Sequence, residues 1–589
     1  MSKWKYHGKD KAPTETIQII KAILNDIGFE PSCKLVSPEI GTCYYSLVTA
    51  GGFFSNGKGF SPELCEASGY AELMERLQNK RLSTSLQHFD DYFSYQKKCF
   101  PCTHDVRNTH PCVNTIFSKL AESAIDTDGD LAKAENFVNQ LLTTVSTDGR
   151  FVLREFYSVK SREKLLLPVD FLQLFTGTNG MAAGNSLEEA VVQSLCEILE
   201  RYAAIQILTK GLTPPEIPKS FLKKYKLVSD AIEQIETNPS YSVSVLDASL
   251  GVNIPCVICV IKNLKTQTFG IKFGAYPDME IALERCLTEA FQGQNLESFS
   301  RSGTINFSPF SRYQWQNILN LLKISRGYFP SSLFVGQPSW QYHCWPAAHT
   351  IDNKKFMRHL FDIVEQLGSE IFIQDVSFLG FPTVYIYIPG ISEIAPTDAL
   401  WLEEQALARK IQYILTDLKN AKEDDVEALY SFAKLKRGSF LENSFRHISH
   451  IAFDVPCRDV GDEMGFLAFL CAHYLQKNAE ARKILYTLPK TEYINAVRLY
   501  FAGIDGGISV EENAKILYSL CNEKTAAQVL DDFKIREAVL TTILPQCCGD
   551  CTICDVRCSQ KTIRANYRKI LECELNANIG SEGVQSMVI

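Results

Sequence analysis

The pentapeptide Glu-x-x-Glu-Arg occurs twice in the chain, as Glu72-Leu-Met-Glu75-Arg76 and as Glu197-Ile-Leu-Glu200-Arg201, each time in a strongly helical stretch. Residues three apart share one helix face, so each copy aims two carboxylates the same way with an arginine beside them. Magnesium suits such faces: it takes oxygen ligands in near-octahedral array, a few carboxylates beside substrate phosphates, and arginine binds phosphate oxygens bidentately. A solvated helix face is the competing interpretation of either copy alone.

The flanking residues favour the first interpretation. Ser55-Asn-Gly-Lys-Gly-Phe-Ser61 leads into a helix-like segment from Ser68 to Arg76, and Asn179-Gly-Met-Ala-Ala-Gly-Asn185 precedes Glu189, Gln193 and the second copy. Both runs are expected to be glycine loops feeding helix N-termini, where unpaired amides and the positive dipole end favour phosphate. A third unit, Phe273-Gly-Ala-Tyr-Pro-Asp278 followed by a helix bearing Arg285 and Glu289 one turn apart, repeats the plan. The three units are expected to form one polyphosphate and metal cradle. It is not a P-loop: Gly52 to Lys58 has Walker-A spacing, but Gly59 stands where the motif needs a hydroxyl for magnesium.

These segments, with Asn56-Gly-Lys-Gly ahead of the first, resemble the YcaO-domain family in order and internal spacing. Gly8-Lys9-Asp10 is similar to the lysine segment of its long bacterial members, and the resemblance covers about residue 5 to about residue 420. It implies ATP and Mg2+ as cofactors. Lys9 would contact nucleotide phosphate, Ser68 and Asn185 would hydrogen-bond the nucleotide, Arg201 and Arg285 would bind its phosphates, and Gln193 belongs to the same nucleotide-binding set. Glu72, Glu75, Glu189, Glu197, Glu200 and Glu289 would hold magnesium or orient its waters. Thr16 keeps the hydroxyl of a serine in close relatives. Ala182 replaces a serine and is left out of the site.

The implied fold is α+β, a YcaO-type ATP-binding domain with largely antiparallel sheets and acidic helices, followed by an all-helical C-terminal module. Apolar runs at 254–261, 269–275, 372–376 and 383–388 predict strands whose short connections imply antiparallel pairs. Beyond about residue 460 strand signals vanish, and helices are expected at 478–485, 492–503 and 510–520. The expected division is 1–55 as an N-terminal segment contributing to the nucleotide site, 56–420 as the ATP and magnesium domain, 421–545 as a repeat-like helical module and 546–589 as a cysteine-rich end.

Composition excludes several classes. With 589 residues, 46% of them hydrophobic, the chain can bury a sizeable core, and a net charge of −8 without a basic block argues against nucleic-acid binding. The start lacks an apolar signal region and no long apolar run could span a membrane, so a cytoplasmic location is expected.

Most of the 20 cysteines stand singly among apolar neighbours, as Cys196, Cys286, Cys471 and Cys521 do, and are expected to be buried thiols. Cys548, Cys551, Cys554 and Cys558 differ. Their C-x-x-C-x-x-C-x-x-x-C spacing fits a 4Fe–4S cluster or zinc, with Cys547 able to replace Cys548 as a ligand; free thiols are the alternative. Cys99, Cys102, His104, His110 and Cys112 form a weaker candidate. Cys256 and Cys259 fall in a predicted strand and are assigned to the core.

Known YcaO domains resemble kinases of backbone amide oxygens, on the way to azolines or thioamides. No catalytic nucleophile is assigned here, since positioning, magnesium and cationic groups suffice for phosphoryl transfer. Cyclodehydrating members typically end in a proline-rich tail, whereas this chain ends Gly583-Val-Gln-Ser-Met-Val-Ile589. Its length and N-terminus instead resemble an accessory factor for β-methylthiolation of an aspartate in a small-subunit ribosomal protein. The expected partners are a peptide or protein substrate and a radical methylthiotransferase, with a homodimer as a compatible assembly. ATP-dependent amide activation is the second candidate. A non-catalytic ATP-binding protein that docks an iron–sulfur partner is the third.

Overall fold

The computed structural model describes residues 8–37, 39–40, 43–81, 99–101, 110–125, 129–146, 150–311, 314–342, 352–436, 459–544, 559–577 and 580–588. Three sheets organise the described residues up to about position 390. The first is an antiparallel meander of Ser32–Val36, Tyr44–Ala50 and Phe53–Gly59. The second runs Gly327–Pro330, Gly303–Asn306, Thr268–Ala275, Cys256–Asn263, Tyr241–Asp247; it is antiparallel except for the pairing of Gly303–Asn306 with Gly327–Pro330. The third joins Cys99–Pro101, Arg150–Ser158, Phe372–Asp375, Thr383–Tyr387 and Met181–Ala183, with Lys164–Pro168 on the far flank of Arg150–Ser158. The antiparallel pairs expected around Asn263 and Gly380 are both present.

Three of the helices packed on these sheets carry the repeated acidic and basic residues. Pro62–Gln78 is started by Ser61, whose hydroxyl accepts from Leu64 N at 3.2 Å, with proline in the first turn. Leu187–Lys210 is started by Ser186, which accepts from Glu189 N at 3.1 Å, and is stopped by Gly211 at φ +61°. Met279–Ala290 is started by Asp278, accepting from Glu280 N at 3.0 Å. We call them the first, second and third acidic helices.

The glycine runs before two of them are not phosphate-binding loops. Residues 53–59 form a strand paired with Tyr44–Ala50, and 273–275 end the Thr268–Ala275 strand. Their glycines let helix lie directly on strand: a Cβ on Gly57 would stand 2.1 Å from Cys65 O, and one on Gly274 would stand 2.5 Å from Ala282 O. Carbonyls so close to the strand leave no room for a side chain, which is why the motif alternates glycine with larger residues.

From residue 399 onward the described chain is helical. Ala399–Thr416, Glu463–Tyr474, Asn478–Thr487, Glu492–Asp505, Val510–Leu520 and Glu523–Asp532 surround their own buried cluster, which runs from Ile411 to Leu544. The end of the chain returns to the sheets. Ser559–Asn576 sinks Tyr567, Ile570 and Leu571 into the cluster formed by Phe29, Val48, Phe53 and Tyr70, and Glu582–Val588 places Val584 in the other sheet-side cluster. No helix among the described residues is long and apolar enough to cross a membrane.

Candidate functional site

The three acidic helices present one polar stripe each to a single cavity of ≈ 670 Å³. Ser68, Glu72, Glu75 and Arg76 come from the first, Glu189, Gln193, Glu197, Glu200 and Arg201 from the second with Asn185 just before it, and Arg285 and Glu289 from the third. Lys9 closes one side. Every nucleotide-site residue expected from the sequence therefore meets in one place. Spacings of three and four bring this about, because the remaining faces of each helix are largely apolar and buried, 12 apolar side chains of the second helix among them. The stripes run through the C-terminal halves of the first and third helices, not at their N-termini.

The charges are arranged in two groups. In one, Arg76 lies 3.5 Å from Glu72 and 3.4 Å from Glu75, and Arg201 Nε lies 3.0 Å from Glu197. Burial pushes the Glu75 carboxyl up to about 8; Arg76 opposes the shift, while Glu197 and Glu72 reinforce it. Burial and the charge of Glu289 push Glu200 up to about 7, even though its Oε2 accepts from Ala275 N at 3.1 Å.

The other group behaves oppositely. Burial alone would raise the Glu289 carboxyl, but Lys58 at 2.5 Å and Lys272 at 3.1 Å overcome it and hold the group well below the usual carboxylate range. Neither lysine was expected in the site. Lys58 belongs to the discarded Walker-like run, and Lys272 is the only charge in its strand, so no local pattern marks it.

The N-terminal segment is anchored at the cavity edge. Lys9 Nζ stands 3.3 Å from Glu189, and Asp10 N donates to Glu189 Oε2 at 2.9 Å. Asn353 Nδ2 donates to Gly8 O at 3.2 Å and to Asp10 Oδ1 at 2.8 Å, while Tyr276 OH donates to Gly8 O at 3.4 Å. Thr16 Oγ1 donates to Asn185 Oδ1 at 2.7 Å, so the hydroxyl noted at that position reaches the site. Arg285 donates to Ala275 O at 2.9 Å and to Gln193 Oε1, and lies over the Tyr276 ring. Ala182 is fully buried in the Met181–Ala183 strand.

The donor set suits a hard cation with a polyphosphate: carboxylate oxygens on facing helices, with arginines and lysines between them. No cysteine or histidine lines the cavity among the described residues. Residues 548–558, which carry the C-terminal cysteine run, lie outside the described residues, as do Cys102 and His104. Among the described residues, the cavity carboxylates included, no three His, Cys, Asp or Glu side chains stand together as a complete metal site, so a cation in the cavity would need phosphate and water oxygens among its ligands. Cys112 is buried with its sulfur 3.0 Å from His110 Nδ1. Cys196, Cys286 and Cys471 are buried as expected, as are Cys256 and Cys259, whereas Cys521 is half-exposed.

A family model described as YcaO cyclodehydratase, ATP- and Mg2+-binding, matches residues 56–392. The chain belongs to the YcaO family. It is accordingly an ATP- and magnesium-binding protein of YcaO fold. A relative in Escherichia coli K12, the ribosomal protein S12 methylthiotransferase accessory factor YcaO, is 25% identical over 442 residues, 74% of each chain. An uncharacterized protein of Haemophilus influenzae is 26% identical over 422 residues, 70% of each. Among solved structures, the YcaO protein of Methanopyrus kandleri bound with AMPPCP and Mg2+ is 18% identical with a TM-score of 0.39, over 65% of this chain and 92% of that one. A heterocyclase in complex with substrate and cofactor is 18% identical with a TM-score of 0.44, over 65% of this chain and 53% of that one.

Proposed function

We propose that the cavity is the ATP and magnesium site of this YcaO chain, and that the protein acts as an ATP-dependent accessory factor for β-methylthiolation of an aspartate in a small-subunit ribosomal protein. The convergence of three carboxylate stripes and their arginines on one cavity supports the first half. Glu72, Glu75, Glu197 and Glu200 hold magnesium, with Glu189 and Glu289 at the two ends. Arg201 and Arg285 bind phosphates, while Ser68, Asn185 and Gln193 orient the nucleotide, and Lys9 closes over it. Bound ATP supplies an activated phosphoryl group. The chain's own residues position it, exclude water and spread its charge, which is what phosphoryl transfer requires of a protein.

The second half is supported by the likeness to the Escherichia coli accessory factor across 74% of both chains. In cells that carry this chain, deleting its gene is expected to reduce the methylthiolated fraction of ribosomal protein S12, read by intact-protein mass spectrometry. An unchanged modified fraction would overturn this assignment. It would favour activation of a polypeptide backbone amide, the activity for which the family model's cyclodehydratase description speaks.

The N-terminal segment offers a separate check on the site. A chain beginning at residue 13 loses Lys9 and the contacts of Gly8 and Asp10 to Asn353 and Glu189. It is expected to bind Mg–ATP roughly tenfold or more weakly. A detached terminus would be dispensable, so equal affinity by calorimetry would remove Lys9 from the site.

A further inference from the structure

Glu289 is shared by two lysines that arrive from different sheets. Lys58, on the Phe53–Gly59 strand, takes Oε1 at 2.5 Å; Lys272, on the Thr268–Ala275 strand, takes Oε2 at 3.1 Å. Each is the only charged residue of its strand, and each is largely withdrawn from solvent, with 28% and 15% of its side chain exposed. Withdrawing an ammonium from water is costly unless a counter-charge is near, and one carboxylate neutralises only one of the two. Glu200 stands close by, but Arg201 and Arg285 border it as well, so it does not cancel the excess. Among the described residues the only other hydrogen-bond partner of Lys272 is the Ser325 hydroxyl at 3.4 Å, a neutral group. The pair is thus built with a surplus positive charge facing the cavity that both side chains line.

On the reading of this cavity as the Mg–ATP site, we infer that Lys58 and Lys272 grip the terminal phosphate of ATP and give the protein its preference for a triphosphate over a diphosphate. The terminal phosphate bears the greatest share of the nucleotide's negative charge, and both lysines line the same cavity as the carboxylates that would hold its metal. Glu289 holds the two ammonium groups in place before the nucleotide arrives. Simple neutralisation of Glu289 would require one lysine, and the second would then be a needless desolvation cost.

The experiment is calorimetry with ATP and with ADP, both with magnesium, on the full chain and on Lys58→Gln, Lys272→Gln, Lys58→Arg and Lys272→Arg. Each glutamine variant is expected to lose roughly ten- to a hundredfold in ATP affinity and less than about threefold in ADP affinity, the scale of a charge-assisted hydrogen bond. The arginine variants are expected to keep the preference for ATP and, by unfolding at the wild-type temperature, to show that these positions tolerate exchange. Equal loss of ATP and ADP affinity in the glutamine variants, or no loss, overturns the assignment while the wild-type protein still binds ATP. A wild-type protein that binds neither nucleotide overturns the cavity assignment itself, and the lysine assignment with it.

Discussion

Replacing Glu75 by glutamine is expected to weaken Mg–ATP binding by roughly a hundredfold or more, the scale on which groups around a bound metal act, while making the nucleotide-free protein more stable at alkaline pH. Both effects come from the same carboxyl. Its pKa in the folded protein, about 8, lies above the 4.5 it has when unfolded. Between those two values the folded protein retains a proton that the unfolded chain has released. Stability therefore falls as pH rises through this window, and the cost of the buried charge is complete above pH 8. Glutamine cannot ionise and escapes that cost. The variant's melting temperature is expected to match the wild type near pH 4.5, and to exceed it by about 2–4 °C above pH 8. Glu200, raised to about 7, contributes in the same direction over a narrower range, and Glu200→Gln is expected to show the same pair of effects more weakly. On the proposed assignment metal binding would require both carboxyls ionised, so Mg–ATP affinity is expected to rise from pH 6 to pH 8.5 with release of protons. Calorimetry in buffers of different ionisation enthalpy measures that release. ATP affinity unchanged in both variants, with intact unfolding, would remove these residues from the metal site.

The second large effect is expected at the far end of the chain. Removing residues 559–589 is expected to abolish folding of the sheet-bearing region. Tyr567, Ile570, Leu571 and Val584 are fully buried against it, and at about 2–3 kcal/mol each their loss approaches the whole stability of a domain. The polar contacts agree. Glu574 lies 2.5 Å from Lys80 and 3.1 Å from Arg154, and Asn566 Nδ2 donates to Gly51 O at 2.8 Å. Lys80 sits at φ +57° and closes the first acidic helix, with its N–H on Leu77 O at 3.1 Å. The returning helix thus braces the end of a helix that carries two of the cavity's carboxylates, Glu72 and Glu75. The point variant Leu571→Ala should cost about 2–5 kcal/mol, read by chemical denaturation. A shortened chain that still unfolds cooperatively at the native temperature would show that the returning helices are accessory.

The second case also marks where local reasoning ends. Helical periodicity is set within a few residues, so the spacings of Glu72, Glu75 and Arg76 and of Glu197, Glu200 and Arg201 were enough to place each set on one face. The runs before and after Asn263 and Gly380 were legible as antiparallel strands for the same reason, since short apolar runs and a short turn are local features. The glycine runs misled, because a glycine that opens a phosphate loop and one that lets a helix lie on a strand look alike until the helix is present. A Cβ on Gly57 would stand only 2.1 Å from Cys65 O, which settles that question, and nothing in the neighbouring residues announces it.

The sequence by itself determined the chemistry of the cavity, its carboxylates, arginines and their spacing, because side-chain direction on a helix follows from position along it. Only the tertiary structure decided that Lys58 and Lys272 share Glu289, that Asp10 reaches Glu189, and that Glu574 meets Lys80. These partners are separated by 231, 179 and 494 residues in the cases of Lys58 with Glu289, Asp10 with Glu189 and Lys80 with Glu574. Contacts over such separations are made by the packing of whole elements, with no periodic signature in the chain between them.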